Sequence, residues 1–187
     1  MQINRAYGGV GFMVNAITFN YLYQRHYETE QRNATYSKDI LNFSFEEAHN
    51  KEVGDDIAGM GYPDNGNGRY TDTVGYGGWY FMNIVKRCHR NDFEHIATVI
   101  PLSLFNGLLY PLPTIGLLSS YFVGRKLYSY GYEEKEGAFN QYRIAGSLIV
   151  NAVHMLTIGG TIFIGYRMIK GSLCLKSALS LAAKAPK

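Results

Sequence analysis

Residues 96–124 read IATVIPLSLFNGLLYPLPTIGLLSSYFVG and contain no Asp, Glu, Lys or Arg. A helix needs roughly 20 mainly apolar residues to cross a hydrocarbon core about 30 Å thick. The run is therefore too long for one crossing and too short for two. It is also interrupted. Tyr110-Pro111-Leu112-Pro113 predicts a tight turn, because proline removes a backbone donor and restricts the residue before it. The part upstream, 96–109, is too short to cross a bilayer alone. That helix must begin near Trp79 and take in Lys86, Arg87, His89, Arg90, Asp92, Glu94 and His95. Pro101 lies inside it and predicts a kink. Downstream, a third helix is expected over about 113–132, with Arg125 and Lys126 near its end.

Working outward, residues 6–24 and 144–166 also lack acidic residues, Lys and Arg. Long buried helices of a soluble protein carry charge on their outer face, and these do not. The expected fold class is all-α: one integral-membrane domain over 1–187. Its four transmembrane helices fall at about 7–32, 79–109, 113–132 and 140–170, with a polar loop at 37–78 and a tail at 171–187. The mean hydropathy of −0.14 hides this pattern by averaging it with the loop. Lys and Arg near the span ends collect on the loop side, at Arg25, Arg32, Lys86, Arg87, Arg90, Arg125, Lys126, Lys135 and Arg143. The other side has Arg5, Arg167, Lys170 and Lys176. The positive-inside tendency then places the first and third loops in the cytosol or matrix.

Several classes drop out. The formal charge of +3 is mild, and the basic residues form no stripe for nucleic acid. Cys88 and Cys174 are far apart and fit no metal-ligand spacing or disulfide framework. No cleavable leader pattern opens the chain, so the first span is expected to be retained. Asp64-Asn65-Gly66-Asn67-Gly68 has turn composition and lacks the spacing and closing Glu of a calcium loop. Residues 172–187 alternate apolar and basic positions, which suits a membrane surface, a partner or a frayed tail.

Helical periodicity of 3.6 residues puts Asn83, Arg87, Asn91 and Glu94 on one face of the second span, with His95 at its margin. On the third span Tyr121, Arg125, Tyr128 and Tyr132 share a face. Ionisable groups inside a span face a bundle interior, a wet cavity or a partner. The residues leave two readings open. In one, the stripes converge on a charged ligand near the water interface: Arg contacts carboxylates, Glu holds an ammonium and tyrosines form walls. In the other, Arg87 and Glu94 bind neighbouring helices and the tyrosines form an interfacial belt. Asp92 and His95 are one carboxylate–imidazole pair with no second pair, so no metal is expected. His154, isolated in the fourth span, reads as a tie between helices.

The stretch Arg87-Cys88-His89-Arg90-Asn91-Asp92-Phe93-Glu94 resembles the R-x-x-x-N-x-x-E signature of the MAPEG family, membrane-associated proteins of eicosanoid and glutathione metabolism. Within the family it is most similar to microsomal glutathione transferases of the third type. Pro63-Asp64-Asn65-Gly66-Asn67-Gly68-Arg69-Tyr70 and Trp79-Tyr80-Phe81 resemble the family's approach to the second helix. Val123-Gly124-Arg125-Lys126-Leu127-Tyr128-Ser129-Tyr130-Gly131-Tyr132 resembles the end of the third. The resemblance implies a four-helix fold assembled as a homotrimer in the lipid bilayer of the endoplasmic reticulum or mitochondrion. Glutathione, as co-substrate, would lie between subunits. It assigns Arg87, Asn91 and Glu94 to the peptide's charged and amide groups, and Tyr128 and Tyr132 to wall contacts and hydrogen bonds. A cation near the sulfur lowers a thiol's pKa. Arg32, or Arg143 at the start of the fourth helix, is the candidate for that catalytic role.

The activity so implied is a glutathione-dependent transferase or peroxidase acting on hydrophobic small molecules, electrophiles or lipid hydroperoxides. The chain also departs from the pattern. In leukotriene C synthase a basic pair ends the first helix and its second member activates the thiol, whereas here the pair reads Arg32-Asn33. His89 and His95 stand where Gln and Tyr are found. The alternative expectation is a catalytically weakened or inactive accessory subunit, held by other subunits of a larger membrane complex such as a mitochondrial respiratory complex.

Overall fold

A computed structural model describes residues 5–54, 64, 66–134 and 137–183, excluding the side chains of 38, 42 and 172–183. Among the described residues there are helices and no strands. Helix α1 is Tyr7–Thr35, uninterrupted by proline, and ends where Tyr36 returns its N–H to the Arg32 carbonyl.

The connection expected as a polar loop contains a helix, α2, Lys38–Glu52, and a 3₁₀ turn, Arg69–Thr73. Its polar composition conceals a short apolar spacing. Leu41 and, one turn later, Phe45 pack with Tyr36 and with Met82 of the next helix. Asp39 in the first turn and His49 and Lys51 in the last suit the helix dipole.

Helix α3, Tyr76–Leu109, runs through Pro101 without ending. The turn after it is shorter than expected. Tyr110 alone separates α3 from α4, Pro111–Glu133, and both prolines lie in the first turn of α4. Proline is at home there because the first N–H groups of a helix have no intrahelical acceptor. Helix α5, Gln141–Ala183, continues well past the expected end of its span. The surface reading of residues 172–187, and Pro63, Asn65 and Lys135, lie outside the described residues or side chains.

Helices α1, α3, α4 and α5 form an up-down-up-down bundle. At one end Gly107 of α3 meets Tyr7 and Val10 of α1, and Arg167 of α5 donates to the Tyr110 hydroxyl at 2.8 Å. At the other end Glu28 pairs with His89, and Gly131 of α4 lies against Arg143 of α5. The core between them includes Val10, Ile17, Val99, Leu118, Tyr121 and Val150. Polar side chains tie helices within it. Gln24 Nε2 donates to Ser129 Oγ at 2.7 Å, and Asn106 Nδ2 donates to the Thr157 carbonyl at 2.9 Å. Thr161 donates back to Asn106 Oδ1, so both ends of that buried amide are satisfied.

The α4–α5 contact is the closest. A Cβ on Gly146 would stand 2.5 Å from the Tyr128 nitrogen and 2.6 Å from the Gly124 carbonyl oxygen. Small residues at a helix crossing allow such backbone approach, and here it sets Tyr128 beside the first turns of α5. By length and composition, α5 over Gln141–Gly171 is the one described helix apolar enough to cross a membrane.

Candidate functional site

Helix α3 carries the expected polar stripe, and the bundle opens a cavity along it. Asn83, Arg87, Asn91 and Glu94 all line a cavity of about 660 Å³, with Tyr132 of α4 across from them. Trp79 and Tyr80 form its aromatic end. A recess of about 190 Å³ shares Arg87 and Asn91 with this cavity, and adds His95, Tyr128 and Arg143. The five side chains expected to bind a ligand therefore line two adjoining spaces.

The two arginines considered for catalysis are placed differently. Arg143 lines the recess, and its guanidinium sits 5.3 Å from the Tyr132 ring centre and 5.8 Å from that of Tyr128. Its Nε is buried without a hydrogen-bond partner among the described residues. Arg32 lines neither cavity.

The polar connection closes one side. Asp64 Oδ1 accepts from the backbone N–H groups of Gly66, Asn67 and Gly68 at 2.8, 3.2 and 2.9 Å, and Oδ2 accepts from that of Tyr70 at 2.8 Å. Burial alone would raise the Asp64 pKa, but these four donors outweigh it and hold the carboxyl below its ordinary value. The wrapped turn is tied to α3, since Asn83 Nδ2 donates to the Gly66 carbonyl at 3.2 Å. Asn67, carried on the same turn, lines the larger cavity.

Beneath the stripe lies a charge network that periodicity on separate helices did not reveal. Arg125 is 1% exposed and Asp92 is fully buried at 0%. Arg125 Nε lies 2.9 Å from Asp92 Oδ1. Its Nη1 donates to Asn91 Oδ1 at 2.5 Å and its Nη2 to the Cys88 carbonyl at 3.0 Å. The Tyr121 hydroxyl donates to Asp92 Oδ1 at 3.1 Å. Although Arg125 borders the recess, its charge is committed to Asp92. The free cationic character there comes from Arg87 and Arg143.

Residues 58–167 match the MAPEG family. The chain belongs to the MAPEG family. No curated protein and no solved structure matches it. With family membership and the apolar α5, this is a MAPEG-like membrane protein.

The departures from the MAPEG pattern also have places in the fold. His89 pairs with Glu28 and stacks on Tyr21, ring centres 5.0 Å apart, so it fastens α3 to α1. His95 Nδ1 meets His154 Nδ1 at 3.1 Å, and Thr98 Oγ1 meets His154 Nε2 at 3.1 Å, which makes His154 the expected interhelical tie. Among the described residues no cluster of three His, Cys, Asp or Glu could hold a metal ion. Glu94 forms an exposed pair with Arg90 at 3.2 Å. Such surface pairs contribute little, so Glu94 remains available to a ligand cation.

Proposed function

We propose that this MAPEG protein binds glutathione in the paired cavities and uses it as co-substrate against hydrophobic electrophiles or lipid hydroperoxides. The observation that carries the reading is the convergence of Arg87, Asn91, Glu94, Tyr128 and Tyr132 on two spaces that share Arg87 and Asn91. Glutathione has two carboxylates, one ammonium, two amides and a thiol. Arg87 suits a carboxylate through paired donors, Glu94 suits the ammonium, and Asn91 suits an amide or carboxylate. Arg143, with an unused buried Nε, is the cation for a thiolate in the recess. Thiolate is the reactive form, and nearby positive charge favours it. In this reading α1, α3, α4 and α5 all cross the bilayer, and three copies assemble as in third-type microsomal glutathione transferases.

The deciding experiment is purification in mild detergent, with glutathione binding followed by calorimetry and thiolate by ultraviolet absorbance. Binding with thiolate formation, lost in Arg87→Ala, is expected; Arg143→Ala is expected to keep binding and lose the thiolate signal. No binding by the unaltered protein sinks the enzyme reading. The accessory-subunit reading is favoured by Asn33 at the end of α1 and by Arg32 lining neither cavity. It requires co-purifying membrane subunits and no thiolate.

A further inference from the structure

We infer that Arg125, locked by Asp92, is a positioning residue that fixes the polarity of Asn91, so that Asn91 presents its amide hydrogens to the ligand and recognises an acceptor oxygen. The inference rests on the glutathione reading and specifies which atoms of the ligand meet Asn91.

An asparagine side chain can present either a carbonyl oxygen or an NH₂ group. Left in water, Asn91 would offer both. Arginine is a donor only, so the Asn91 atom 2.5 Å from Arg125 Nη1 is the carbonyl oxygen. That orients Nδ2 away from Arg125. Asn91 lines both cavities, so its remaining donors serve the ligand spaces.

The lock depends on Arg125 being immobile. Two guanidinium nitrogens donate hydrogen bonds, Nη1 to Asn91 and Nη2 to the Cys88 carbonyl at 3.0 Å, while Nε makes no hydrogen bond and is held beside Asp92 Oδ1 at 2.9 Å by charge. Tyr121 holds the same Asp92 oxygen from the other side at 3.1 Å. Arg125 is also stacked 4.8 Å from the Tyr128 ring centre, on the wall of the recess. Flipping the Asn91 amide would set its NH₂ against the fully buried Arg125 guanidinium and leave that donor unmet, which is costly. The matching ligand atom is therefore a carbonyl or carboxylate oxygen, and an N–H donor is rejected.

The test uses the full-length protein in mild detergent and glutathione as the probe. Asn91→Ala removes the donor and should weaken glutathione about tenfold, the scale of one hydrogen bond in a dry site. Asn91→Asp keeps the oxygen facing Arg125 but has no hydrogens to give, so it should be at least as weak as Asn91→Ala. Arg125→Gln alone strands Asp92 and risks unfolding, so both charges are removed together in Asp92→Asn/Arg125→Gln, with folding checked by thermal unfolding. That pair should weaken glutathione by about tenfold in the native background and have no further effect in Asn91→Ala. This non-additivity marks an effect exerted through Asn91. Near-native affinity in Asn91→Asp overturns the inference, and so does an equal loss from the charge pair in both backgrounds. Failure of the unaltered protein to bind glutathione overturns the proposed function first, and the inference with it.

Discussion

At the scale of single residues, the polar face of α3 rests on the buried Arg125–Asp92 pair. Spacing alone grouped Asn83, Arg87, Asn91 and Glu94, and one cavity gathers all four. Position along α3 marks Asp92 as a buried acid. It lies in the series Val85, Cys88, Asp92, Val99, Ser103 and Asn106, the buried edge of α3, so an acid on that edge requires a buried cation. Which cation depends on the stagger of α3 against α4, and one helix's period does not encode that. Removing one member of a buried ion pair typically costs about 3–5 kcal/mol, whereas replacing both is far milder. Arg125→Gln should therefore lower the thermal midpoint in detergent much more than Asp92→Asn/Arg125→Gln does. Equal losses would show that the pair is not desolvated. Asp64 makes a second prediction. Its folded pKa lies below its ordinary value, so over the acidic range the folded turn binds fewer protons than the unfolded chain. Its stabilisation is complete above the ordinary carboxylate pKa of about 4 and is lost as pH falls through the lower folded value. Acidification should expose the amides of Gly66, Gly68 and Tyr70 to hydrogen exchange before those of α4. Asp64→Asn should flatten that pH dependence.

At the scale of elements, the helices announced themselves by charge-free runs and their junctions did not. Tyr110-Pro111-Leu112-Pro113 was correctly a break, but proline's tolerance at a helix start shortened the turn to one residue. Helix α2 escaped because its buried contact is mainly Leu41 with Phe45, too few apolar positions to stand out among acids and asparagines. The α4–α5 crossing is where an element's packing bears on the site. Gly146 admits the backbones of Tyr128 and Gly124, whereas Gly159 on the same helix has open space beside it. Overpacking costs about 1–3 kcal/mol. Gly146→Ala should lower the unfolding midpoint and weaken glutathione binding, because Tyr128 and Arg143 move apart. Gly159→Ala should leave both unchanged or raise the midpoint, since alanine favours helix. Matching effects at the two glycines would refute a role for close approach.

For the whole molecule, the bundle is apolar on its outer surface as well as in its core, with polar side chains placed inside among the apolar ones. Arg125, Asp92, Asn106, Ser103 and Thr157 are inside, while Phe12, Phe19, Leu112, Leu148, Met155 and Ile162 face outward. Leu148, Met155 and Ile162 stand seven residues apart and make an exposed apolar stripe along α5, and large apolar patches are rarely exposed by monomeric soluble proteins. Among the described helices α5 alone passes on hydropathy, because α1, α3 and α4 carry polar and charged residues that lower the average, some inward, as Asn20, Asp92 and Arg125, and others outward, as Arg25, Arg90 and Lys126. Lysine on the outer surface separates the two environments. In water, an exposed substitution away from special features changes stability by about 0.5 kcal/mol or less. At the centre of a membrane helix, insertion measurements put the cost at about 2.5–3.5 kcal/mol. Phe19 is 72% exposed and Met155 70%. Met155→Lys on α5 and Phe19→Lys on α1 should each reduce the protein retained in membranes after alkaline extraction. Asp39→Lys, on α2 outside the bundle, should leave retention intact. A loss with Met155→Lys but none with Phe19→Lys would mean that α5 crosses and α1 does not. The proposed four spans and the proposed glutathione site are separate claims, since no α1 residue lines either cavity; the Phe19 variant tests the first and Arg87→Ala the second.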